Sequence, residues 1–124
     1  MRTVLVGVAL VLLAGCSCVQ QKKMYVKTVF TNASTHPLNW VTLDAGEREL
    51  TVGILSPGIS ATLLDVGWSK APDQAKLTFI DDKTRKNYSI PVSLTNVNQQ
   101  VRSGKCREVT IRILDYDKAE IACK

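Results

Sequence analysis

Residues 108–114 read Glu-Val-Thr-Ile-Arg-Ile-Leu. Val109, Ile111 and Ile113 alternate with Thr110 and Arg112, which is the period of a strand that buries one face and wets the other. Leu77 and Phe79 alternate about Thr78 in the same way. Working outward from these two segments, the chain offers six more runs rich in β-branched and aromatic residues. They are Tyr25 to Thr31, Leu38 to Leu43, Leu50 to Leu55, Ile59 to Val66, Tyr88 to Leu94, and Ala119 to Cys123.

Turn-forming residues separate the runs at short intervals: Asn32 to Pro37, Asp44 to Gly46, Ser56 to Gly58, Lys70 to Asp73, Asp81 to Asn87, Asn96 to Gly104 and Asp115 to Lys118. No window of eleven residues carries a helical period. Seven or eight short strands in about 100 residues predict an all-β fold, a small antiparallel β-sandwich of immunoglobulin or transthyretin-like type. A small β-barrel is the alternative. Pro91 inside its run marks an edge strand or a bulge.

The whole chain has 124 residues, 45% of them hydrophobic and 22% charged, with a net charge of +5. That is one domain, too apolar for a disordered tail and too short for a barrel enzyme. Its beginning differs in character. Arg2 precedes an unbroken apolar run from Val4 to Ala14, the length of a signal peptide's hydrophobic region and too short to span a bilayer core of about 30 Å. Leu13-Ala14-Gly15-Cys16 then resembles the lipobox of bacterial lipoproteins.

The resemblance implies cleavage before Cys16 and acylation, with palmitate among the chains, on a residue that becomes the new N-terminus. Residues 1–15 would be the signal peptide, 16–23 an acylated tether and 24–124 the sandwich. Several acyl chains, at about 0.8 kcal/mol per buried methylene, hold a protein on a bilayer stably. Ser17 stands where an Asp would signal inner-membrane retention, so the resemblance implies an outer-membrane lipoprotein facing the periplasm. The turn from Gly53 to Ile59, with Pro57 presetting it and Gly58 supplying positive φ, also loosely resembles turns of small uncharacterised sandwich-type lipoproteins.

In an oxidising envelope the remaining cysteines, Cys18, Cys106 and Cys123, are expected to form one disulfide. Cys106 with Cys123 is the favoured pair, because Cys18 lies in the tether. A tight turn at Asp115 to Lys118 would leave the two out of direct register, so the pairing requires a bulge or a bent strand end. With no C-x-x-C pair and a single histidine, no metal site and no cofactor are expected.

Catalytic signals are sparse. His36 sits in a polar turn and reads as a surface residue, and neither G-x-S-x-G nor H-E-x-x-H occurs. Asp81-Asp82 and Asp115-x-Asp117 read as turn aspartates that cap their own backbone. No enzyme is expected. The basic residues are scattered, concentrating at Lys22-Lys23, Lys83 to Lys86 and Arg102 to Arg107, with no nucleic-acid motif.

Trp40 alternates with Leu38 and Thr42 and is expected in the core. Trp68 lies at a strand end beside Ser69 and Lys70, where an exposed indole would anchor an interface together with Lys83, Arg85 and Lys86. The reading is a protein-binding module tethered to a membrane, either an accessory subunit of an envelope complex or a toxin-immunity lipoprotein. The alternative is a small-ligand carrier, which would need a hollow barrel.

Overall fold

The computed structural model describes residues 25–46, 48–68 and 71–124, with only the backbone of Asp65. The leader 1–15 and the tether 16–23, with Cys16, Cys18, Lys22 and Lys23, lie outside the described residues. The strands are β1 (Tyr25–Asn32), β2 (Leu38–Ala45), β3 (Arg48–Val52), β4 (Ser60–Gly67), β5 (Gln74–Asp81), β6 (Asn87–Ser93), β7 (Glu108–Asp115) and β8 (Lys118–Cys123). One helix, α1 (Thr95–Arg102), lies between β6 and β7.

Two four-stranded sheets form, in the orders β4-β1-β7-β8 and β3-β2-β5-β6. All pairings are antiparallel except β1 with β7, which run parallel from Lys27↔Glu108 to Asn32↔Ile113. Alternation drives the packing: Val109, Ile111 and Ile113 are fully buried, as are Phe30 and Leu77, while Arg112 faces water. Side chains fill the space between the sheets, so the fold is a sandwich and the hollow-barrel alternative is not found.

Local chemistry explains the departures from a plain meander. Gly58 has φ +80 and Ile59 N–H donates to the Ser56 carbonyl at 3.0 Å, so the Ser56-Pro57-Gly58 turn forms as its residues dictate. Pro91 sits in β6, an edge strand, where its missing N–H removes no ladder bond on the open side. The segment expected as a turn from Asn96 to Gly104 instead contains α1. Its apolar content is one pair, Val97 and Val101, spaced i, i+4 and buried, too little to register in an eleven-residue window. Buried Asn98 fastens the helix to the β4–β5 connection by donating to the Ala71 and Pro72 carbonyls at 3.0 and 3.1 Å.

Cys106 and Cys123 form a disulfide, with Cα atoms 5.3 Å apart. Cys123 itself faces Val109 in the ladder, so direct register does not bring the pair together. The bent strand end does: Arg107 and Glu108 N–H groups both point at the Lys124 carbonyl, at 2.9 and 3.4 Å, and this doubling swings Cys106 across.

The strands define two poles. At one, called here the entry pole, lie Tyr25, Gly67, Gln74, Ser93, Glu108 and Cys123. At the other, the far pole, lie Asn32, Leu38, Asp81, Asn87, Asp115 and Lys118. Eight-residue strands separate the two by about 25 Å.

Candidate binding surface

The two tryptophans exchange the places expected of them. Trp68 is 2% exposed and lies between the sheets, its indole N–H donating to Thr28 Oγ1 at 3.1 Å. After Gly67 the chain turns inward rather than out to solvent, and the buried threonine satisfies the one polar atom of the ring. Trp68 therefore cannot serve as an interface anchor. Trp40 is 65% exposed.

The cause is a β-bulge in β2. Asn39 pairs with Ile80 and Thr42 with Thr78, so Trp40 and Val41 together oppose Phe79. The extra residue shifts the phase of the alternation, which leaves Leu38, Val41, Leu43 and Ala45 inside and turns Trp40 out. Trp40 takes the left-handed backbone at φ 54, a conformation that disfavours any residue with a Cβ. Asn39 pins this backbone: its Oδ1 accepts from the Trp40 N–H at 2.7 Å, and its Nδ2 donates to Asp82 Oδ1 at 3.3 Å. The β2–β3 register sets Trp40 opposite Gly53, whose lack of a side chain leaves the indole room, and exposed Ile54 follows.

The Asn39–Asp82 bond ties this bulge to the β5–β6 turn. Asp82 N–H also donates to the Pro37 carbonyl at 2.9 Å. The turn carries exposed Lys83, Arg85 and Lys86 beside Trp40 on the rim of the β3-β2-β5-β6 sheet. Arg85, too, is left-handed, at φ 64, and its guanidinium lies 3.4 Å from Asp82 Oδ1.

Under the rim lies an aromatic stack that the sequence does not announce. His36 and Tyr116 stack with centroids 4.1 Å apart, and Tyr116 stacks on Tyr88 at the same distance. Phe79 follows at 5.8 Å from Tyr88. The Tyr116 hydroxyl donates to Asp81 Oδ2, while Asp81 Oδ1 accepts the backbone N–H groups of Lys83 and Thr84 at 2.8 and 2.9 Å. Asp81 thus caps its own turn, as expected. His36 Nε2 lies 3.7 Å from Asp115 Oδ1, so the histidine is half-buried in a stack rather than a bare surface group.

The electrostatics make this stack a clamp. Hydrogen bonding from Tyr116, then from the Thr84 backbone, holds the Asp81 carboxyl down at about 2. The same bond, with burial, pushes the Tyr116 phenol up to about 12. Neither group changes protonation near neutral pH, so neither suits proton transfer there. Asn32 locks the adjoining turn, donating to the His36 and Leu55 carbonyls at 2.7 Å each and accepting from Ser34.

Among the described residues no group of three or more His, Cys, Asp and Glu side chains could hold a metal ion. A shallow depression of about 350 Å³ lies away from the rim, lined by Asp44, Gly46, Gln74, Ala75, Lys76 and Pro91. No helix among the described residues is long and apolar enough to cross a membrane.

No protein-family model and no curated protein matches the chain. A solved structure it is similar to is an NMR structure of the protein from Eubacterium rectale, at 10% sequence identity and a TM-score of 0.47, covering 82% of this chain and 89% of that one.

Proposed function

We propose that this is a lipid-anchored bacterial envelope protein whose sandwich binds a protein partner through the Trp40 rim, without catalysis. Residues 13–16 and the apolar run before them support the anchor, and Ser17 supports an outer-membrane lipoprotein facing the periplasm. The observation that carries the binding reading is Trp40 itself. A left-handed non-glycine backbone is disfavoured by about 1–3 kcal/mol, and here it holds an indole in water. Strain with no packing return is expected where the side chain has work outside the domain.

The partner's chemistry follows from the rim. It presents an apolar socket for the indole, ringed by carboxylates for Lys83, Arg85 and Lys86. An accessory subunit of an envelope complex and a toxin-immunity lipoprotein both fit that description.

The test is cross-linked capture from membranes with the full-length chain, compared with Trp40→Ala and with the triple variant Lys83→Ala, Arg85→Ala, Lys86→Ala. A partner should weaken by about thirtyfold with Trp40→Ala, the scale of an aromatic hot spot. The triple variant should lose most of the salt dependence. A captured set identical across all three proteins refutes the surface. In parallel, Cys16→Ser should leave the chain unprocessed or release it from membranes, and normal acylation in that variant refutes the anchor.

A further inference from the structure

The first described residue, Tyr25, stands at the entry pole, paired with Gly67. The parallel β1–β7 ladder begins at Lys27↔Glu108, so Tyr25 lies two residues before it, at the end of the sheet where β7 starts. The described chain therefore begins on the pole away from Trp40.

That corner is basic. Arg102 ends α1, and exposed Lys105 and Arg107 follow it around the bend. Exposed Lys124 is tied to the same place by the hydrogen bonds of its backbone to Arg107 and Glu108. An arginine from the other sheet joins them: the guanidinium of Arg48 and the ring of Tyr25 both crowd Gly67. Acids also stand at this pole: Asp44 and exposed Glu49 face each other across the β2–β3 ladder beside Arg48. Glu108 is already matched by Lys27 at 3.1 Å and Lys124 at 3.9 Å, and Asp73 accepts from Asn98 at 3.2 Å.

We propose that the entry pole is a docking face for the anionic headgroups of the bilayer that holds the chain's N-terminus, with Arg102, Lys105 and Arg107 as its contacts and Lys124, shared with Glu108, at its edge. This rests on the anchor reading above. Two observations select a bilayer as the occupant. The first is charge: each lysine or arginine within a Debye length of an anionic surface strengthens attachment by roughly fivefold. The second is reach, since the nine residue steps from Cys16 to Tyr25 span at most about 30 Å extended and about half that as a coil. The tether joins the domain at this pole, which makes it the nearer of the two to the headgroup layer. The far pole is then held one domain length out, its own lysines beyond the range of the lipid charge.

The experiment uses the full-length acylated chain reconstituted into vesicles of phosphatidylcholine alone or with one third phosphatidylglycerol. A water-soluble amine-acylating reagent labels lysines, and mass mapping reads the rate at each. Lys105 and Lys124 should label several-fold more slowly on the anionic vesicles, and about 0.5 M salt should restore the rate. Lys83 and Lys86 act as the internal reference and should label equally on both. Equal rates at all four lysines on the two compositions, or slowing at both poles alike, overturns the docking face while leaving the anchor intact. A chain that fails to sediment with the neutral vesicles overturns the anchor and the docking face together.

Discussion

The two poles of the sandwich have opposite economies. At the entry pole Trp68 is sealed under Thr28, α1 fastens the β4–β5 connection, and the disulfide joins the start of β7 to the end of β8. Its polar atoms serve closure. At the far pole the largest side chain is turned into water, two non-glycine residues hold left-handed backbone, and the hydrogen bonds serve to keep Trp40 and the basic turn in place. In a sequence that carries no catalytic motif, the end that retains strain marks the surface proposed for a protein partner.

Substitutions of the buried groups at the entry pole should cost the most stability, and substitutions at the far pole less. Trp68→Ala should have the largest effect, about 3–5 kcal/mol in denaturant unfolding, because it empties a ring-sized space between the sheets. A loss under about 1 kcal/mol would mean that the indole is not packed there. Replacing both Cys106 and Cys123 by Ala should follow, at about 3 kcal/mol for a closed loop with a sequence separation of 17. Calorimetry of the double variant against the oxidised chain measures it.

The far-pole clamp depends on pH. Asp81 is held low, so its contribution is complete above its unfolded value near 4 and fades as pH falls through about 2. Tyr116 is held high, so its contribution is complete below about 10 and fades as pH rises through about 12. Tyr116→Phe should accordingly lower the urea midpoint by a constant amount between pH 4 and pH 10, with the gap closing on both sides. A gap as wide at pH 2.5 as at pH 7 would remove the Asp81–Tyr116 bond from the account.

The smallest effect has the opposite sign. Trp40→Gly should raise stability by about 0.5–1 kcal/mol, since glycine adopts the left-handed backbone freely. A destabilised Trp40→Gly protein would show the indole to be packed against the rim, and the contrast between the poles would collapse.

The eight strands are legible in the sequence because alternation and turn chemistry are local: Val109, Ile111 and Ile113 report their own burial, and Asp81 and Pro57 their own turns. What depends on register is not legible. The Asn39–Thr42 bulge is created by the match of β2 to β5, and it reverses the orientation that Trp40 has by simple alternation. The burial of Trp68 is hidden for another reason, since the turn inward after Gly67 leaves no periodic trace. Its place beside Ser69 and Lys70 reads as surface, and only the position of Thr28 reveals the partner for its N–H. The stack of His36, Tyr88 and Tyr116 joins three separate segments, 52 and 28 residues apart along the chain, so no motif could announce it.

The parallel pairing of β1 with β7 also sets the order in which the domain can assemble. β1 leads the sandwich in sequence yet sits second in its sheet, with one edge open until nearly the last residues arrive. Contacts that span so much of the chain form slowly, and a half-emerged polypeptide has no way to complete this sheet. Pairing of β1 on both sides therefore waits for the C-terminal hairpin.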